Sequence, residues 1–160
     1  MVSVQVLCVG KLKEKHFAAA CAEYAKRLGG FCKLTITELP EQRLPEDPAP
    51  AQIDAALAKE AEAIQAKLPK GGKVVALCVE GDLLSSPQLA KRLDGWMVDG
   101  ASQLTFVIGG SFGLHPAVKA QAHLRLSMSP MTFPHHLARV MVLEQLYRAF
   151  QITAGTRYHK

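Results

Sequence analysis

The amino-acid sequence predicts an α/β fold in which a mostly parallel sheet is flanked by helices. Apolar runs alternate with helical patterns along the chain, which is the order of elements that such a sheet requires. One of these runs, VVALCV at residues 74–79, is apolar throughout, as is typical of a parallel strand buried on both faces. The chain has 160 residues, of which 49% are hydrophobic and 21% charged, so we expect a single compact domain over 1–160.

The first half of the chain predicts two strand–helix pairs separated by a loop. An apolar strand spans Val2–Val9, and the segment Glu14–Leu28 that follows has apolar residues at helical spacing. Alternating apolar and polar residues predict a second strand at Leu34–Leu39. Four prolines between Pro40 and Pro50 indicate a mobile surface loop, and the alanine-rich segment Ala51–Leu68 returns to a helical pattern.

The second half of the chain predicts three strands, three helices and a tail. The strand at 74–79 leads to a helix that reaches about Val98, in which Ser86 is expected to cap the N-terminus and Pro87 to lie in the first turn. The remaining elements are a strand at Leu104–Ile108, a short helix from Pro116, a strand near Leu124–Met128, a long helix from Pro134 or His135 to about Ile152, and a polar tail, Ala154–Lys160.

Composition excludes several classes of protein. No run approaches the roughly 18 apolar residues of a membrane helix, and the N-terminus turns from apolar to basic, the reverse of a signal peptide, which indicates a cytoplasmic protein. The four cysteines match no zinc spacing, and no histidine pair shares a helix face with a carboxylate, so we expect core cysteines and no metal. The net charge of +5 favours a polyanionic partner only weakly.

The glycine-rich stretch LTFVIGGSFGLHP, residues 104–116, is the first candidate ligand loop. An apolar strand that runs into glycines and then a helix has the form of a binding loop, because ligands of open α/β sheets bind beyond the carboxyl ends of the strands. The glycine spacing is not G-x-G-x-x-G, and this disfavours a dinucleotide site and hence an oxidoreductase. A tight turn that binds no ligand remains the alternative.

A second candidate is the stretch LSMSPMTFPHH, residues 126–136. A strand ends here in small and apolar residues, and Pro134 favours an extended conformation at Phe133. Such a segment can wall an apolar slot for an adenine ring, although any strand-to-helix connection needs similar residues.

The last helix, residues 135–152, is apolar almost all round at Val140–Leu143. In a chain of this length, burial on two sides implies that the helix packs against the sheet and also against another subunit. The sequence therefore predicts a homodimer.

Five stretches read together carry a resemblance to a known family: VGKLKEK, VIGGSFGLH, LSMSPMTFPHHLARV, LEQLYRA and the terminal YHK. In this order and spacing they resemble the RlmH family, small SPOUT-class methyltransferases that methylate N3 of a pseudouridine in large-subunit ribosomal RNA. The resemblance implies a C-terminal trefoil knot, one of the rare exceptions to unknotted topology. It also implies a homodimer and S-adenosyl-L-methionine bound within the knot.

Carried over by position, the resemblance implies a set of cofactor contacts at three strand ends. They are Leu77, Gly109, Met128, Ser129, Pro130, Met131, Thr132 and Phe133. Leu77 stands at the end of VVAL, Gly109 follows the strand at 104–108, and residues 128–133 follow the strand near 124–128. We expect these three strand ends to be neighbours around one pocket.

Methyl transfer to an imide nitrogen needs positioning of the two reactants and removal of a proton. We therefore expect a base or an orienting hydrogen-bond partner near the target atom. The candidate catalytic residues are Tyr158, His159, Arg139 and His135. Tyr158 offers an aromatic face for an unpaired base, and His159 can accept or shuttle the proton. Chain ends are usually frayed, so an unordered tail is the alternative.

RNA contacts are expected from basic residues that can meet phosphates. The candidates are Lys11, Lys13, Lys15 and Arg157. A solvated helix start explains the three lysines equally well. With no separate RNA-binding domain, we expect recognition of the shape of the assembled ribosome. Two other functions stay open, a SPOUT methyltransferase for transfer RNA and a non-catalytic ribosome-binding or nucleotide-sensing module.

Overall fold

The computed structural model describes residues 1–160 as five strands alternating with five helices. The strands are β1 (Ser3–Val9), β2 (Lys33–Leu39), β3 (Lys73–Leu83), β4 (Gln103–Ile108) and β5 (Leu124–Ser127). The helices are α1 (Lys15–Leu28), α2 (Pro50–Lys67), α3 (Ser86–Val98), α4 (Pro116–Gln121) and α5 (His135–Thr153).

The five strands form one sheet in the order β2-β1-β4-β3-β5, and every pair is parallel. The predicted α/β class and the flanked parallel sheet are therefore confirmed. In this order β4, β3 and β5 are neighbours, so their carboxyl ends meet at one edge of the sheet. None of the helices is long and apolar enough to cross a membrane.

Helices cover both faces of the sheet, and the central strands supply side chains to both. Val4, Val6 and Cys8 of β1 belong to the apolar cluster beneath α1, α3 and α5. Leu7 and Val9 of the same strand belong to a second cluster beneath α2 and α4. All five side chains are almost fully buried. Burial on both faces explains why the strand sequences are continuous apolar runs.

Strand β3 is longer than the sequence predicted. It pairs with β5 at Val75–Leu77 and again at Asp82 and Leu83, with an irregularity between the two stretches. A Cβ at Gly81 would lie 2.7 Å from the carbonyl oxygen of Arg125, so only glycine allows this close pass. The polar residues after Val79 concealed the extension, because they end the apolar run from which the strand was predicted.

Helix α3 begins one residue earlier than the sequence predicted. The N-cap is Ser85, whose hydroxyl accepts a hydrogen bond from Gln88 N at 3.2 Å, while Gln88 Oε1 accepts one from Ser85 N at 2.8 Å. This capping box makes Ser86 the first helical residue, so the prediction of Ser86 as the cap was wrong. Two adjacent serines both fit the capping pattern, and the glutamine three residues after Ser85 decides between them.

Candidate functional site

The carboxyl ends of β4 and β5 and the middle of β3 open into a cavity of about 820 Å³. Its walls come mainly from three segments, residues 77–80, 108–114 and 126–135, with Lys119 and Ala138 in addition. Of the predicted cofactor contacts, Pro130 alone lies outside the wall. The others line it, namely Leu77, Gly109, Met128, Ser129, Met131, Thr132 and Phe133. The structure therefore brings the two candidate loops and the middle of β3 together around one cavity, as expected from the order of the strands.

The glycine loop after β4 folds back on itself. Gly110 and Gly113 form an isolated antiparallel bridge, and Gly113 has a φ of 82°. A Cβ at Gly109 would lie 2.6 Å from the carbonyl carbon of Gly113, so glycine is required by the loop's own backbone. The loop is thus a tight turn that also forms one wall of the cavity.

Exposed apolar side chains line the cavity from two different segments. Phe112 is 49% exposed on the glycine loop, and Met131 is 73% exposed on the segment after β5. Two local hydrogen bonds, each 3.0 Å long, shape the segment after β5. Ser127 Oγ donates to Ser129 O, and Met131 N donates to Ser129 Oγ. Large apolar side chains left exposed around a concavity are typical of a ligand site.

Few ionisable side chains face the cavity. Glu80 and Lys119 form an ion pair at its rim, and the hydrogen bond from Lys119 holds the pKa of Glu80 below its usual value. Burial lowers the pKa of His135, so its imidazole is neutral at pH 7. Cys78 lines the same cavity rather than the core, which corrects the sequence expectation for this cysteine, and burial raises the pKa of its thiol.

The loop between β2 and α2 was predicted to be mobile, but two hydrogen bonds hold it against the site. Glu41 Oε1 accepts a hydrogen bond from Ser111 N at 2.9 Å. Next to it, Gln42 N donates to Glu60 Oε2 at 2.9 Å, and Glu60 is only 6% exposed. Sequence reasoning missed Glu41, because a carboxylate in a proline-rich segment has no periodicity and no motif to mark it.

Arg139 lies outside the cavity and is 3% exposed. Its guanidinium donates to Glu38 Oε2 at 2.8 Å and to Gly10 O at 3.1 Å. Leu12 N donates to the same Glu38 oxygen at 2.8 Å. Arg139 therefore ties α5 to the ends of β1 and β2. Arg139 was predicted to be catalytic, but it does not line the cavity, and the structure does not support a direct contact with a ligand there.

The C-terminal tail packs on α5 of its own chain. Tyr158 donates from its hydroxyl to Glu144 Oε1 at 3.2 Å, and His159 Nδ1 lies 3.0 Å from the Arg148 guanidinium. Burial, followed by the Glu144 charge, raises the pKa of Tyr158. Glu144 also lines a second cavity of about 380 Å³, which shares Leu126 and Met128 with the larger one. The tail is thus ordered and lies beside the neighbouring cavity.

The predicted phosphate contacts are free at the surface. Lys11, Lys13 and Lys15 are exposed and follow β1, so they lie at the same edge of the sheet as the larger cavity. Arg157 is exposed at the end of the chain. The structure contains no group of three or more His, Cys, Asp or Glu side chains that could hold a metal ion.

Comparison with known proteins decides the family. The model of a family described as "Predicted SPOUT methyltransferase" matches residues 2–159. The chain belongs to the SPOUT methyltransferase family. Among SPOUT relatives, a protein of Bifidobacterium animalis subsp. lactis is 48% identical and one of Ligilactobacillus salivarius is 45% identical. Each match covers 99% of this chain and 100% of the relative, and both relatives are named Ribosomal RNA large subunit methyltransferase H. The resemblance stated from the sequence motifs is therefore confirmed.

The SPOUT fold is also found in solved structures. The tRNA (m1G37) methyltransferase of Aquifex aeolicus superposes with a TM-score of 0.51 at 12% identity. The match covers 91% of this chain and 69% of that one. At this identity the likeness concerns the fold alone.

Proposed function

We propose that this chain transfers the methyl group of S-adenosyl-L-methionine to N3 of a pseudouridine in large-subunit ribosomal RNA. The observation that carries the proposal is the cavity between the ends of β4 and β5 and the middle of β3, in a chain of the SPOUT family. Full-length relatives named Ribosomal RNA large subunit methyltransferase H support the choice of RNA. The pseudouridine and its N3 atom rest on the motif resemblance.

The residues present fit the cofactor. Ligand cavities span roughly 300–1,000 Å³ and combine apolar walls with a few polar groups, and this cavity does the same. Phe112 and Met131 provide apolar surface for a purine, and the Glu80–Lys119 pair provides charges at the rim. When bound, S-adenosylmethionine supplies an electrophilic methyl group on a sulfonium. The chain's own contribution is to orient that group and to exclude water.

Proton removal from the imide is assigned to side chains near the two cavities. His135 lines the larger cavity, and its lowered pKa keeps the imidazole neutral and able to accept a proton at pH 7. Tyr158 and His159 lie beside the smaller cavity, which shares Met128 with the larger one. We assign the target base to the smaller cavity, where Tyr158 and His159 contact it. Arg139 holds α5 in place.

The proposal includes a homodimer and a C-terminal trefoil knot. Val140 and Met141 at the middle of α5 remain half-exposed beside the smaller cavity, which supports burial against a second copy. The knot rests on the resemblance of the sequence motifs.

Recognition of RNA is assigned to exposed basic residues after β1 and in the C-terminal tail. Lys11, Lys13, Lys15 and Arg157 meet phosphates in this proposal. A single small domain with a net charge of +5 offers a limited phosphate-binding surface, which favours the assembled ribosome in the cytoplasm over free RNA.

The test is incubation of the chain with labelled S-adenosylmethionine and ribosomes that lack the modification, followed by nucleoside mapping. We expect label on N3 of one pseudouridine of large-subunit RNA, with far less on the same RNA free of protein. Label on transfer RNA would instead identify a transfer-RNA enzyme. Absence of any calorimetric heat with S-adenosylmethionine or its demethylated product would favour a non-catalytic module.

A further inference from the structure

The glycine loop of the cavity is supported from behind by a carboxylate from a distant part of the chain. Glu41 follows β2 in the proline-rich loop, and its Oε1 accepts a hydrogen bond from Ser111 N at 2.9 Å across a separation of 70 residues. Ser111 itself lines the cavity, whereas Glu41 does not. The carboxylate therefore acts on the wall of the cavity from outside.

Gly110 leaves room for this carboxylate, and Gly10 lies beside it. A Cβ at Gly110 would lie 2.5 Å from Glu41 Oε1, and one at Gly10 would lie 3.4 Å from Glu41 Oε2. The same Cβ at Gly10 would lie 3.6 Å from His135 Nε2. The end of β1, the glycine loop and the start of α5 thus converge on a single side chain.

A second carboxylate fixes the loop that carries Glu41. Glu60 on α2 is almost fully buried and accepts a hydrogen bond from Gln42 N at 2.9 Å. A buried acceptor on a regular helix gives the adjacent residue a defined position, as the supporting shell of a binding site must. The support of the glycine loop is therefore continuous from α2 through Gln42 and Glu41 to Ser111.

We infer that Glu41 is a positioning residue for cofactor binding, which sets the glycine loop in the conformation that binds S-adenosylmethionine. The inference rests on the proposed function. A hydrogen bond from a backbone N–H to a carboxylate is among the stronger ones in proteins. Without it the loop is free to leave the binding conformation, and the apparent affinity falls with the fraction of competent molecules.

The test compares cofactor affinity in the full chain and three variants, using calorimetry with S-adenosylmethionine and with S-adenosylhomocysteine. Glu41→Ala removes the acceptor, and we expect about tenfold weaker binding of both compounds. Glu41→Gln keeps a carbonyl oxygen that can accept from Ser111 N, so affinity should recover to within about threefold of the unaltered chain. Glu46→Ala, an exposed carboxylate of the same loop, is the matched control and should bind normally.

Methyl transfer gives a second readout. In Glu41→Ala the KM for the cofactor should rise while kcat at saturating cofactor stays close to that of the unaltered chain. Should Glu41→Ala not fold, Glu41→Asp replaces it, because the shorter side chain keeps the charge but retracts the acceptor. Equal cofactor affinity in Glu41→Ala (or its replacement) and the unaltered chain would overturn the inference, as would equal loss in Glu41→Ala and Glu41→Gln. Failure of the unaltered chain to bind either compound would overturn the proposed function instead.

Discussion

The guanidinium of Arg139 lies 2.8 Å from the carboxylate of Glu38, and this ion pair joins positions 101 residues apart in the chain. The arginine is buried, while the glutamate remains partly exposed. A second bond from Arg139 to the Gly10 carbonyl extends the link to the end of β1. The pair thus holds the start of α5, including His135, against the edge of the sheet where the larger cavity opens.

Replacement of Arg139 by methionine should destabilise the fold. The change removes the Arg139 donor from the Gly10 carbonyl and from Glu38, which keeps only the bond from Leu12 N. Loss of hydrogen bonds to a charged group costs about 2 kcal/mol. Urea denaturation followed by circular dichroism measures the free energy of unfolding. Arg92→Met is the control, because Arg92 is an exposed residue of α3 and its replacement should hardly move the urea midpoint. Similar midpoints for both variants would contradict a structural role for Arg139.

The same pair predicts how stability depends on pH. Burial opposes ionisation of Glu38, but hydrogen bonds from Arg139 and Leu12 hold its pKa below the usual value. A depressed folded-state pKa stabilises the fold above the ordinary glutamate pKa of about 4.3, and this contribution is lost as pH falls through the folded-state value. The difference in urea midpoint between the unaltered chain and Glu38→Gln should therefore be largest near neutral pH and shrink below about pH 4. A difference that stays constant over this range would show that ionisation of Glu38 is irrelevant.

Substitution at Gly109 should disrupt cofactor binding through the loop itself. A Cβ at this position meets the Gly113 backbone, so Gly109→Ala must open the turn that forms one wall of the cavity. We expect at least a tenfold loss of affinity for S-adenosylhomocysteine by calorimetry. Gly95→Ala in α3 is the matched control, since nothing lies within 4 Å of its added Cβ and alanine is the better helix former. Unchanged affinity in Gly109→Ala would separate the glycine loop from the binding site.

Removal of the last three residues, Tyr158–Lys160, should separate binding from catalysis. These residues lie on α5 beside the smaller cavity, away from the walls of the larger one, so cofactor affinity should be retained. Methyl transfer to ribosomes should fall by about 10²–10⁴, the usual contribution of a positioned acid or base. A chain that lacks Lys160 alone should keep its activity. Full activity after removal of all three residues would exclude the tail from the mechanism.

The sequence allowed the sheet, the helices and the two cavity loops to be predicted, because each depends on local periodicity or on glycine and proline. The far end of β3 escaped prediction because its pairing relies on a close pass at Gly81 rather than on apolar residues. The role of Glu41 escaped because it depends on a contact made 70 residues away. The charge of Arg139 suggested a catalytic role. Its actual position at the ends of β1 and β2 depends on how α5 packs on the sheet, which the sequence does not show.

Successive side chains of β1 point into the two apolar clusters in turn, so both helical layers of the fold pack against the same strand. Neither layer can melt while the other keeps its native packing, because loss of Val6 from one side also displaces Leu7 on the other. Denaturation should accordingly be a single cooperative event. In native-state hydrogen exchange, the amides of β1 should be among the slowest of the chain and should exchange only through global opening.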